Sequence, residues 1–327
     1  MRQSIRCLLA IAAVAAFLFA SGVQAGEKYV LKLSTQLNET TPMVQGFKKL
    51  AENVAKKSDG RLVIEVYPSA QLGSDEDVIE QAIMGSNVAV LTDGGRMGNY
   101  VRDFGIIGMA YFADSYDDVL KVIESDTYKG WEDQLVDEGI RVLSFNWYDG
   151  PRHFLTHAPI NVPADLNGQR IRTPGAPAWA ESIAALGATP IAMPWGEVYS
   201  AIQSKAIDGC EVQDTSTLGS RTFEVVKYRN KTSHFQLING LIVGEAWFET
   251  LPADLQTLLR AETKAAGEEN ARVVEKEIEE IEKKLTEYGM VTTQPDVAAF
   301  KKAADAAYQK LGFTELRAQI YKEIGKN

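Results

Sequence analysis

Cysteine is scarce in this chain of 327 residues, with two in all, Cys7 and Cys210. Cys7 lies in an N-terminal leader, so the remaining chain has one thiol and cannot form an internal disulfide. No histidine lies near Cys210 in sequence, and the residue reads as a small buried apolar group rather than a nucleophile. Histidine is scarce as well, with three, none in a Gly-x-Ser-x-Gly or Cys-x-x-Cys neighbourhood. His153 and His157 are four apart, a spacing with which a helix can grip a metal, but they stand in a strand-like run ended by Pro159. That context argues against a metal site. The glycines of TDGGRMG, Thr92 to Gly98, match neither dinucleotide nor P-loop spacing. No cofactor is called for and no catalytic machinery is visible, so an enzyme is not expected.

Long apolar runs are missing too. The run from Cys7 to Ala20 falls short of the roughly 20 residues that span a bilayer. Arg2 and Arg6 flank it on one side and the small-residue sequence Val23-Gln24-Ala25 on the other, which is the pattern of a secretory signal, here cleaved after Ala25. Cys7 begins the apolar run instead of following it, which excludes a lipid anchor. The mature chain is expected to be exported, soluble and not inserted in a membrane. Positive charge is in deficit: 34 Lys and Arg against 44 Asp and Glu give a formal charge of −10, or about −12 without Arg2 and Arg6. Nucleic acid and anionic lipid surfaces are therefore not expected as partners. A local cluster such as Arg152 and Arg172 can still hold an anion.

What is present is a βαβα rhythm. YVLKLS, Tyr29 to Ser34, alternates as a half-buried strand does, and Pro42 to Lys57 carries apolar residues at helical spacing. Further strands are predicted at Arg61 to Tyr67 and Asn87 to Leu91, with a helix between them capped by Ser74. This series predicts an α/β lobe with a mainly parallel sheet. A strand over Arg141 to Trp147 leads to Asp149-Gly150-Pro151, a turn signal taken as the crossing into a second lobe. Asn239-Gly240, another turn signal, marks the return. The expected lobes are 26–149 with 239–277, and 150–238 with 278–327. Ala253 to Tyr288 carries a nearly continuous helical pattern between Pro252 and Gly289. Such a helix either spans both lobes or bends at Gly267.

The stretch from Leu166 to Glu211 organises the second lobe. It predicts a strand at Arg170 to Thr173, a helix from about Pro177, a strand at Thr189 to Met193, a helix from Trp195 to Ser204, and a turn at Asp208-Gly209. Strand ends in such units face the ligand crevice, so Arg172, Trp195 and the residues after Glu211, Gln213 among them, should converge there. A guanidinium fixed at a strand end can hold a carboxylate through two charge-assisted hydrogen bonds. Most surface arginines do no such thing, but Pro174, Gly175 and Pro177 make a rigid shoulder beside this one.

GPRHFLT around Arg152, GQRIRTPGAP around Arg172, MPWGEVYSAIQSKAIDG, the following Glu211, and YPSAQLGSD at Tyr67 to Asp75 resemble the signature segments of the DctP-type substrate-binding proteins of TRAP (tripartite ATP-independent periplasmic) transporters. The resemblance covers nearly the whole mature chain. It implies a two-lobed periplasmic protein that closes on a small organic carboxylate and passes it to a sodium-driven membrane permease, with no cofactor. A monomer is expected. By position, Arg172 matches the family's carboxylate-clamping arginine, Arg152 its supporting arginine, and Trp195 a phenylalanine packed on the ligand. Gln36 and Asp93 fall where the first lobe lines the cleft. Glu76 and Val212 depart from residues common in the family, Arg and Asn, which weakens a sialic-acid-like or typical dicarboxylate reading. Trp147, Trp179 and Trp195 lie near predicted strand ends. If two or more line the cleft, an aromatic or indole-type acid competes with a sugar acid stacked on Trp195. A component of a different transporter or sensor, or a two-lobed enzyme using Cys210, are the rival readings.

Overall fold

The computed structural model describes residues 27–326, so the expected signal segment and the expected cleavage after Ala25 lie outside the described residues. β1 (Tyr29–Ser34) runs parallel to β2 (Leu62–Tyr67), joined by α1 (Pro42–Lys57). Thr41 caps α1 and Pro42 opens it; the helix buries Met43, Val44, Phe47, Leu50 and Val54 against the sheet. α2 (Asp75–Ile83) starts in a reciprocal capping box between Ser74 and Asp77. It leads to β3 (Val88–Asp93), buried throughout, and to the single turn of α3 (Gly94–Met97). A 3-10 segment and α4 (Tyr116–Glu124) and α5 (Asp126–Asp137) precede β4 (Ile140–Thr156). Next come β5 (Arg170–Thr173), α6 (Pro177–Ala185), β6 (Thr189–Ala192), α7 (Val198–Gln203), β7 (Gly209–Gln213) and α8 (Asp214–Gly219). β8 (Tyr228–Gly244), α9 (Glu245–Phe248), α10 (Ala253–Glu287), β9 (Val291–Thr293), α11 (Val297–Leu311) and α12 (Thr314–Glu323) complete the chain.

The strands of the described residues form one mixed sheet, ordered β2-β1-β3-β8-β4-β7-β5-β6, with β9 against β8. The βαβ pairings are parallel; β3 with β8, β8 with β4, and β4 with β7 are antiparallel. β4 and β8 are 17 residues each, and neither expected turn interrupts them. At Gly150 φ is +100° and the register with β8 slips between Tyr148 and Gly150. The Asp-Gly pair therefore makes a bulge, where Pro151 is tolerated, instead of a chain reversal. Asn239 stays in register with both Asp93 and Trp147. A Cβ on Gly240 would lie 2.2 Å from the Phe145 ring, so this glycine serves close packing.

α10 runs 35 residues without a break at Gly267, about 53 Å at 1.5 Å per residue. It packs on α1, β4 and α8. Apolar clusters fill both halves of the sheet. Leu31, Phe47, Leu50, Trp147 and Leu259 belong to one, Phe154, Ile171, Trp179 and Phe300 to a second, and Leu155, Val198, Cys210 and Ile281 to a third. Burial pushes the Cys210 thiol up to about 12, which leaves it protonated and inert. Among the described residues no helix is long and apolar enough to cross a membrane.

Candidate functional site

The C-terminal ends of the parallel strands β1, β3, β5 and β7 open on one cleft, as crevices in α/β sheets do. One wall carries Gln36, Asp75, Thr92, Asp93 and Arg96; the other carries Arg152, Arg172, Trp195, Gln213 and Ser216. Asp149, Leu237 and Asn239, from the two long strands, form the floor. The space between them, counted with its open mouth, is about 510 Å³. The walls touch. The Trp195 backbone N–H donates to Gln36 Oε1 at 2.9 Å, and Asn99 Nδ2 donates to the Gly175 carbonyl at 3.3 Å.

The two arginines of the second wall differ sharply. Arg152 is committed: its guanidinium forks onto both carboxylate oxygens of Glu211, donates to Gln213 Oε1 at 3.1 Å, and stacks 4.9 Å from the Trp179 ring. Burial alone would raise the Glu211 carboxyl, but Arg152, with His234 3.7 Å away, outweighs it and holds the group below its ordinary range. Arg172 has no such partner. Its Nε donates to the Met193 carbonyl at 2.8 Å and its guanidinium lies 5.3 Å from the Trp195 ring. Among the described residues no carboxylate forms an ion pair with it, although it is 2% exposed. Burial first, and the positive charge of Arg152 second, push its pKa down to about 10. A buried guanidinium with free donors in a cleft has the chemistry to pair with an oxyanion.

The first wall is not the open acceptor the sequence suggested. Asp93 accepts from the Arg96 backbone and side chain and from Trp179 Nε1 at 2.6 Å. Arg96 also donates to Glu76 at 2.7 Å and lies 3.6 Å from Asp75. Sequence alone did not mark this cation as a wall residue, because TDGGRMG was weighed only against dinucleotide and P-loop spacing. Thr92 Oγ1 and Asn239 Nδ2 are buried without a hydrogen-bond partner, so both are free to meet a ligand hydroxyl.

Of the aromatic candidates only Trp195 lines the cleft. Trp147 is fully buried, 4.9 Å from Phe47, with its Nε1 donating to Ser144. Its place at the start of the crossing turned out to be core. Trp179 stands behind Asp93 and Arg152 and buttresses both. Asp149 was taken for a turn residue; it is 1% exposed and lines the cleft, accepting from Thr215 Oγ1 at 2.8 Å and from Gln213 Nε2.

Residues 33–315 match the family model described as bacterial extracellular solute-binding protein, family 7, DctP. The chain belongs to this family of TRAP solute-binding proteins. A sialic acid-binding periplasmic protein of Vibrio cholerae is 26% identical over 281 residues, 86% of this chain and 87% of that one. Among solved structures, a TRAP periplasmic solute-binding protein from Ochrobacterium anthropi with bound L-fuconate is 30% identical, with a TM-score of 0.88 over 91% of this chain and 99% of that one. A TRAP protein from Escherichia fergusonii, described as apo and open, is 32% identical but superposes less well, with a TM-score of 0.78 over 90% and 99% of the two chains. The DctP family comprises solute-binding proteins, and the fold and cleft of this member are of that kind.

Proposed function

We propose that this DctP-family protein captures a sugar acid in the cleft between two lobes, the carboxylate held by Arg172. The observation that carries the reading is the buried Arg172 guanidinium without a carboxylate partner. A ligand carboxylate would neutralise it through a two-point contact. Trp195 gives one aromatic face, suited to the apolar side of a sugar chain, while Trp147 and Trp179 are occupied in packing. The unpartnered Thr92 and Asn239 favour a hydroxyl-bearing ligand over a flat aromatic acid. Residues 26–149 with 239–277 form one lobe in this reading, and 150–238 with 278–327 the other. The contacts between Gln36 and Trp195 belong to its closed state, and the better superposition on the fuconate-bound relative than on the open one supports that assignment. The protein would act as a monomer in the periplasm after removal of residues 1–25, and pass the acid to a sodium-coupled permease.

Calorimetric titration tests the ligand class: L-fuconate and D-glucuronate against succinate and indole-3-acetate. Binding of at least one sugar acid, and of neither competitor, is expected. Binding of indole-3-acetate alone would overturn the reading.

A further inference from the structure

The charges lining the cleft do not cancel where they stand. Arg96 is a single cation among three carboxylates, Asp75, Glu76 and Asp93. Among the described residues Asp149 has no cation of its own: Thr215 Oγ1 and Gln213 Nε2 donate to it, and the nearby Arg152 is spent on Glu211. Arg172 is thus an unpaired buried cation on one side, while Asp149 and the Arg96 cluster leave negative charge in excess on the floor and the other wall. Arg172 and Asp149 are 2% and 1% exposed, so solvent screens neither well.

A molecule entering with one carboxylate satisfies Arg172. A second carboxylate on the same molecule finds no free cation among the described residues and meets Asp149 or Asp75. A hydroxyl is received instead, since the carboxylates accept from it and the unpartnered Asn239 Nδ2 and Thr92 Oγ1 can donate to it. We propose that Asp149 and Asp75 form an anion-excluding surface that limits the ligand to a single carboxylate on an otherwise hydroxylated chain, selecting aldonic or uronic acids against aldaric acids. Rejection by like charge, rather than added attraction, sets the specificity. Burial pushes both carboxyls up to about 6, which still leaves them ionised at neutral pH. The inference rests on the sugar-acid reading above.

Calorimetry on the full mature protein at pH 7.5 tests it with matched monoacid and diacid pairs, D-gluconate with D-glucarate and D-galactonate with galactarate, plus L-fuconate and D-glucuronate. Wild type should favour monoacids by at least about 100-fold, since like-charge juxtaposition costs several kcal/mol. Asp149→Asn should narrow that ratio by about tenfold or more, and Asp75→Asn supplies the same readout independently should Asp149→Asn not fold. A purely structural role would weaken both classes alike and leave the ratio unchanged. The inference is overturned, with the sugar-acid reading intact, if wild type binds a diacid within about threefold of its monoacid, or if neither substitution moves the ratio. Wild type that binds none of these acids overturns the sugar-acid reading and this inference together.

Discussion

Arg152 and Glu211 form a forked ion pair in the interior, with Arg152 Nη2 donating to Glu211 Oε1 at 2.8 Å, and this pairing is what leaves Arg172 as the free guanidinium of the second wall. Removing one member of such a pair strands the other as a buried charge. Glu211→Gln should destabilise the ligand-free protein by about 3 to 5 kcal/mol. The double replacement Arg152→Met with Glu211→Leu should cost much less than the sum of the single changes. Denaturant unfolding of the three variants checks this.

Burial lifts the Asp149 carboxyl from an ordinary 3.8 to about 6, eased by Thr215 and Gln213. The folded state therefore binds this proton more tightly than the unfolded chain does. The stability it confers is complete below about 3.8 and is lost as pH rises through about 6. Between pH 7.5 and 5 wild type should gain about 1.4 kcal/mol from this group relative to Asp149→Asn. The buried His153 and His234, whose pKa values burial depresses, pull the opposite way in both proteins and cancel in the difference. Urea unfolding of wild type and variant at the two pH values reads it; an unchanged difference would contradict the assignment.

Trp147 and Trp195 divide packing from binding. Trp147→Ala should cost about 3 to 5 kcal/mol of stability with ligand affinity nearly unchanged in the folded fraction. Trp195→Ala should weaken ligand binding with little change in unfolding midpoint. Calorimetry and denaturant unfolding on the same two variants separate the effects.

Gly240→Ala places a methyl group 2.2 Å from the Phe145 ring and should destabilise the protein by about 1 to 3 kcal/mol. A glycine needed only for a hairpin would respond to Phe145→Ala no differently in either background. Here Phe145→Ala should partly relieve the cost of Gly240→Ala, an interaction that a double-mutant cycle measures.

Local patterning carried the helices and the short parallel strands. Ser74 with Asp77 and Pro42 after Thr41 are start signals that act through neighbouring backbone groups, so they are readable from sequence alone. Asp149-Gly150 and Asn239-Gly240 misled because the same dipeptides serve hairpins, bulges and close ring packing; the choice is made by β8 lying across β4, a partner distant in sequence. Arg172 and Trp195 were legible as cleft residues because a strand end fixes where they point. That Arg152 is neutralised, that Arg96 sits among three carboxylates, and that Asp149 faces the cleft all depend on side chains meeting across long sequence separations. No periodicity encodes such meetings.

The carboxylate clamp at Arg172 is tested most directly by titrating wild type and Arg172→Lys with a sugar acid that wild type binds and with its neutral carboxamide. Wild type should bind the acid and bind the amide at least about 100-fold more weakly, a gap of roughly 2.7 kcal/mol. Arg172→Lys keeps the charge without the planar fork, and its affinity for the acid should fall by about 30-fold or more. An amide that binds wild type within about threefold of the acid, or an Arg172→Lys variant that holds the acid as tightly as wild type, would contradict the clamp.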